Sequence, residues 1–253
     1  MLEQLLTLNL FGFFLVFARV GTALAAMPGF GAAYVPTDMR LAIGLAIAFV
    51  MTPALIAEMP AMPASVSGIA ILIGGEMLIG AFLGTIATIL MGALQTAGTV
   101  IAYVASLANA LIQDPIAEQQ SSTVAGFLLV MGVVLVFTTD LHHLMLRAVA
   151  DSYSMVTPGQ AFPAEDISQI MARRVADAFA LGLRLAAPFV IVGLTYYVGL
   201  GFLGRLMPQL QVFFFGLPVQ IGVQIWVLAI AITGMMMAFL QSFAEVYQGF
   251  TLR

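Results

Sequence analysis

Long apolar runs, broken at wide intervals by short polar clusters, organise this chain. The first runs from about Leu5 to Phe30 with Arg19 inside it. A polar turn, Tyr34-Val35-Pro36-Thr37-Asp38-Met39-Arg40, separates it from a second run at about Leu41 to Ala57. Glu58-Met59-Pro60-Ala61-Met62-Pro63 holds too much proline to continue a helix, because each ring removes an amide donor and clashes with the preceding turn. From Met77 to Gln113 there are 37 residues without a charge. As one helix they would rise about 55 Å, against the ~30 Å of a hydrocarbon core, so an interruption is expected. The pattern places a weakening at Gln95-Thr96-Ala97-Gly98-Thr99 and a break at Asn109-Ala110-Leu111-Ile112-Gln113-Asp114-Pro115, where the residue before proline resists helical geometry. With the polar run Glu118-Gln119-Gln120-Ser121-Ser122-Thr123, this makes a loop of about fifteen residues inside a helical chain, a length associated with function or disorder.

Val124 to Thr139 resumes an apolar helix that ends near Asp140-Leu141-His142-His143, and a polar loop is expected through Tyr153, Pro158 and Pro163. Between Glu165 and Arg184, Ile167, Ile170, Met171, Val175, Ala178 and Leu181 form one stripe while Asp166, Gln169, Arg173 and Asp177 lie opposite, which predicts an amphipathic helix. Acids sit in its first turn, where the helix dipole favours them. Leu185 to Leu203 and Pro218 to Ala244 are further apolar spans, joined by a tip that carries Arg205, Gln209 and Phe213-Phe214-Phe215. Three aromatics at a tip imply an interfacial anchor or burial against a partner. The reading is an all-α, polytopic integral membrane protein of about six apolar helical segments arranged as hairpins, with no soluble domain.

Composition agrees. Of 253 residues, 62% are hydrophobic and 8% charged, against roughly 25% charged in soluble chains, and mean hydropathy is +1.09. Eight arginines, no lysine and twelve acids give a net charge of −4, which leaves no basic stripe for nucleic acid. The absence of cysteine removes disulfides, thiolate metal sites and thiol nucleophiles. Ala23-Leu24-Ala25 resembles a cleavage site, but the segment before it carries Glu3 rather than basic residues and is interrupted by Arg19, so a retained helix is expected.

Few residues invite chemistry. His142 and His143 are adjacent, and neighbouring positions on a regular helix diverge, so a polar helix end is expected; Asp140 assists one of them only in a turn. No Gly-x-Ser-x-Gly elbow occurs. No catalytic, cofactor-binding or metal residues are expected. Arg19 and Glu76 are costly in lipid, and either carry function or form a structural ion pair or polar contact buried between subunits. A four-residue ladder, Glu76, Gly80, Gly84, Thr88, Gly92, Thr96, would let helices approach closely, whether as ordinary packing or as an assembly surface.

These residues resemble the flagellar FliR family and its virulence counterpart, the T component of type III secretion export gates. The resemblance rests on Phe17-Ala18-Arg19-Val20, Pro28, Val35-Pro36 and Arg40-Leu41-Ala42-Ile43-Gly44-Leu45. It extends through Gly75-Glu76, Gly80, Gly84, Leu94-Gln95 and Gly98, then Asp114-Pro115, Asp140 and His142. Gly201 to Pro218 carries it most specifically, with Arg205, Pro208-Gln209, Val212-Phe213, Gly216 and Pro218. Gly204 and Gln211 stand where the family often has asparagine, and Leu111 and Ile112 where its plug loop often has aromatics.

The resemblance implies a single domain over 1–253: FliP-like helices over 1–163 with a plug loop at about 107–123, and an amphipathic helix and FliQ-like hairpin over 164–253. It implies a non-enzymatic gate subunit without cofactor in the bacterial inner membrane, within the flagellar basal body. There it assembles helically with FliP and FliQ, meets FlhB, and passes unfolded protein substrates. Leu111, Ile112, Asp114 and Pro115 are the plug candidates; Arg19, Glu76, Gly80, Gly84 and Gln95 the packing and assembly candidates; Arg205, Pro208, Gln209, Phe213 and Pro218 the cytoplasmic tip. A virulence gate subunit or a small secondary transporter are the alternatives, though a carrier should show two related halves with broken helices, and none is apparent. With six spans and a cytoplasmic tip, Arg147, Arg173, Arg174 and Arg253 fall outside, against the positive-inside rule. Helices that stand partly outside lipid would account for this.

Overall fold

A computed structural model describes residues 2–56, 59–107, 123–160, 164–207 and 212–250, with backbone alone at 2–9 and 212–215. All regular structure among them is helical: α1 (Leu2–Ala26), α2 (Thr37–Leu55), α3 (Val66–Val104), α4 (Thr123–Thr138), α5 (Leu141–Met155), α6 (Ala164–Leu206) and α7 (Val212–Gln248). Helices α2, α3, α6 and most of α7 are long and apolar enough to cross a membrane, and the sharply bent pair α4 and α5 makes up to five spans. Leu10–Ala26, the part of the 25-residue α1 whose side chains are described, is apolar as well. The all-α, polytopic reading therefore holds, with four or five long apolar helices among the described residues and α1 beside them.

Local chemistry accounts for the boundaries. Pro36 ends the turn before α2 in an extended conformation, with φ −55° and ψ 142°, and Asp38 sits in the first turn. Arg40 fastens that turn by donating from Nε to the Phe30 carbonyl at 3.1 Å and from Nη2 to those of Ala32 and Val35 at 3.0 and 3.4 Å. The weakening expected at 95–99 is absent: α3 runs through it, with the Thr96 and Thr99 hydroxyls turned onto the carbonyls of Gly92 and Gln95 at 2.9 and 2.8 Å. Helix α3 ends at Val104, ahead of the break expected near Asp114-Pro115, which lies outside the described residues. Ser106 adopts the left-handed conformation with φ 58°. Leu107 then donates its N–H to the Ala102 carbonyl at 2.9 Å and Ser106 to that of Tyr103 at 3.2 Å, a Schellman closure without glycine.

Three further elements differ from expectation. Residues 141–155, expected as polar loop, form α5, whose Met145, Ala148, Val149, Ser152 and Tyr153 are buried on one face at three- and four-residue spacing. The amphipathic segment and the apolar span after it are one continuous helix, α6, in which Pro188 lies without ending it. Helix α7 likewise begins at Val212, six residues before the expected Pro218.

The chain forms two compact units. The first comprises Met1–Ile89, Val136–Arg174 and Phe243–Arg253. In it α1 lies along α2 and touches α5, and Leu15, Val20, Leu24, Ile86, Met145, Phe243 and Tyr247 are buried. The Tyr247 hydroxyl donates to the Leu83 carbonyl at 3.1 Å. The second comprises Leu90–Leu135 and Val175–Ser242, where Leu94, Leu128, Phe189 and Phe239 are buried. Here Gly98 of α3 meets the backbone of Ala125 in α4, and Gly182 of α6 rests on the Ala93 carbonyl. Each unit draws on residues from both sides of position 163.

Candidate functional site

The costliest group in the chain sits at the centre of the first unit. Arg19, on α1, has no exposed surface. Its Nε donates to Glu76 Oε2 at 2.7 Å and its Nη2 to Glu76 Oε1 at 3.1 Å, the two-pronged geometry in which guanidinium and carboxylate fit best. Nη2 also donates to the Val156 carbonyl at 3.0 Å, and Nη1 to Ser152 Oγ at 3.0 Å. The guanidinium carbon lies 3.9 Å from the centre of the Tyr153 ring, placing the cation over its electron-rich face. Three helices thus converge: α1 supplies the cation, α3 the anion, and the last turn of α5 a hydroxyl, a ring and, at its end, a carbonyl. With Glu76 also buried, the cluster has no open position at which to seize a substrate anion. Chemically it is a clamp.

The ladder on α3 makes the clamp possible. A Cβ at Gly80 would meet the Arg19 carbonyl and Thr22 Oγ1, and one at Gly84 the Ala23 carbonyl and Ala26 Cβ. One turn further, Thr88 Oγ1 donates at 2.6 Å to the Ala26 carbonyl, which ends α1 and has no helical partner of its own. Glu76, Gly80, Gly84 and Thr88 therefore all face α1, and the close-approach spacing is used inside the chain. Gly92 meets nothing within 4 Å.

The other sequence candidates lie apart from this cluster. Gln95 is exposed on α3, Arg205 is exposed at the end of α6, and Pro218 is exposed within α7. Leu111, Ile112, Asp114, Pro115, Pro208 and Gln209 lie outside the described residues, as does the side chain of Phe213. Sequence reasoning missed Ser152 and Tyr153 because it took their segment for loop, although the period of Met145, Ala148, Val149, Ser152 and Tyr153 carried the signal.

A second polar set, also missed, lies in the second unit. Gln220 Nε2 donates to the Val104 carbonyl at 2.6 Å, and Gln224 Nε2 to that of Phe189 at 3.2 Å. Ser106 Oγ and the Tyr197 hydroxyl lie 3.0 Å apart, and Tyr196 donates to the Gly216 carbonyl at 2.7 Å. Val104 closes α3 and Ser106 is its left-handed cap, so these bonds fix the point at which the chain leaves that helix. Two glutamines four apart in an apolar helix were the available signal.

The family model described as bacterial export proteins, family 1, matches residues 10–246. The chain belongs to that family. It is 34% identical over 237 residues to the flagellar biosynthetic protein FliR of Caulobacter vibrioides, covering 94% of each chain. It is 29% identical to FliR of Bacillus subtilis, over 87% of this chain and 86% of that one. With the Yop proteins translocation protein T of Yersinia pestis it shares 28% identity, over 72% of this chain and 70% of that one. A member of export family 1 with four or five long apolar helices is a membrane component of a type III export apparatus.

Two substitutions separate the parts of the clamp. Ser152→Ala removes a hydrogen bond to a charged donor and should cost about 1.5–3 kcal/mol. The Tyr153 hydroxyl is buried without a hydrogen-bond partner among the described residues, so Tyr153→Phe should match or exceed the parent while keeping the ring over Arg19. Thermal unfolding of both variants in detergent checks this; a loss on Tyr153→Phe as large as on Ser152→Ala would contradict it.

Proposed function

We propose that this chain is a core subunit of the flagellar type III export gate in the bacterial inner membrane, forming with FliP and FliQ the channel through which unfolded substrates cross. The observation that carries this reading is the length of exposed apolar surface on α6. Val175, Phe179, Leu183, Val190, Leu194, Val198, Phe202 and Leu206 are all exposed. From Val175 to Leu206 the helix rises about 46 Å, and a hydrocarbon core covers only ~30 Å. Arg184 is exposed within the stretch, a natural edge for the lipid. Apolar surface beyond that edge needs protein to cover it, as a subunit of an assembly provides and a solitary carrier does not. Similarity over 94% of the flagellar relative's length favours the flagellar over the virulence system. On this reading the role is structural, with no catalytic step and no cofactor.

The remaining assignments belong to the same proposal. The Arg205 to Pro218 tip faces the cytoplasm and docks an FlhB-type partner within the basal body. The segment from Leu107 to Thr123 plugs the resting channel. Its polar run cannot face lipid, where each unpaired backbone group costs several kcal/mol, and Leu111 and Ile112 supply the apolar closure while Asp114-Pro115 fixes the turn.

Phe179→Arg, on the part of α6 beyond Arg184, should leave membrane insertion unchanged and cut co-purification with FliP and FliQ by about tenfold, the effect of a buried unpaired charge at an interface. Full co-purification of that variant, or a parent chain that is stable and monomeric beside its co-expressed neighbours, would contradict the reading. Deleting residues 110–118 should preserve assembly and raise ion leakage through the inner membrane. An assembled gate with unchanged conductance would rule out the plug.

A further inference from the structure

The break between α4 and α5 gathers the chain's only two histidines and an acid. Asp140 adopts the left-handed conformation, with φ 59° and ψ 13°, so Leu141, His142 and His143 start a new helix rather than continue α4. That turn brings the Asp140 carboxylate back beside His143, at 3.6 Å between Oδ1 and Nδ1. His142 is stacked on Phe137 with ring centres 4.8 Å apart, and its ring centre lies 4.1 Å from that of His143. One donor atom from each of Asp140, His142 and His143 lies within 4.8 Å of the others. The left-handed residue returns the acid to the start of α5, and His142 and His143, neighbours in its first turn, lean their rings together to 4.1 Å rather than diverging.

A second observation points to a missing partner. His142 Nδ1 is shielded from solvent and has no hydrogen-bond partner among the described residues, whereas buried ring nitrogens are normally bonded or ligating. We propose that Asp140, His142 and His143 bind a divalent transition-metal ion of the zinc, nickel or copper class through two imidazole nitrogens and one carboxylate oxygen, with water completing the shell. Imidazole and carboxylate together suit ions of that class rather than magnesium or calcium, which prefer oxygen alone. Bond lengths of about 2.0–2.1 Å set tetrahedral donors about 3.3 Å apart. Closing from 4.8 Å requires side-chain rotation, for which the exposed Asp140 and His143 have room. The carboxylate is essential to the set, because the positive end of the α5 dipole opposes a cation and the negative charge of Asp140 offsets it. Bound there, the ion would staple the left-handed turn that redirects the chain between α4 and α5.

The composition makes the test clean. With two histidines and no cysteine in 253 residues, any imidazole-ligated ion on the full chain must sit at this turn, provided the purification tag contains neither residue. Zinc titrated calorimetrically into the detergent-purified full chain should bind at one ion per chain. Bound copper should show coupling to two imidazole nitrogens in its electron paramagnetic resonance spectrum. His142→Ala, His143→Gln and Asp140→Asn should each weaken binding by about tenfold or more. His143 is exposed, so its replacement leaves packing undisturbed, and unchanged helical circular dichroism verifies this. Copper coupled to fewer than two nitrogens, zinc affinity unchanged in His143→Gln, or no binding at millimolar zinc would each overturn the site.

Discussion

A guanidinium with no access to water imposes its needs on everything around it. Removing such a charge from solvent costs several kcal/mol, and only a fully formed set of partners offsets the loss. Arg19 obtains that set from Glu76, Ser152, Tyr153 and Val156. The consequences spread through the first unit: α1 must lie close to α3, so Gly80 and Gly84 have no side chains to intervene. Helix α5 must reach the same point, so the chain turns sharply at Asp140 instead of continuing α4. An unpaired Arg19 would also forbid α1 an apolar environment, which ties the placement of the first helix to the presence of the third.

Charge is handled in the same economical way elsewhere. Arg40 closes the turn before α2 on three carbonyls, and the glutamines of α7 meet backbone groups on α3 and α6. Polar groups thus fasten helix to helix within each unit, and much of the exposed surface of α6 from Val175 to Leu206 is left to apolar side chains. On the proposed reading, that apolar face, longer than lipid covers, is met by neighbouring subunits. The tightly bonded Arg19 cluster then gives a member of this export family a rigid first unit.

Much of this was legible in the residues, and the failures have physical causes. Runs of apolar residues located α1, α2, α4 and the two terminal spans, because lipid admits little else. Arg19 and Glu76 stood out as costly, but sequence spacing could not show that they meet, since 57 positions separate them and only the fold brings them together. Helix α5 was lost because counting polar residues outweighed the period of the buried ones. The division of α6 at Arg184 failed because a change from amphipathic to apolar texture marks a change of surroundings, not an end to backbone hydrogen bonding. The expected weakening around Gln95 failed because Leu94 and Ala97 are buried and Gly98 packs closely on Ala125, so tertiary contact outweighs the low helix propensity of threonine and glycine.

The central claim is that the Arg19–Glu76 pair holds the first unit together and is not a working charge. A double-mutant cycle tests it most directly, comparing Arg19→Met, Glu76→Met and the double variant by thermal unfolding of the chain in detergent. Each single variant strands a buried charge and should lose roughly 3–5 kcal/mol, while the double variant, with neither charge to desolvate, should recover most of that loss. Strictly additive losses, or single variants as stable as the parent but inactive in export, would contradict the account and make the pair part of the transport machinery.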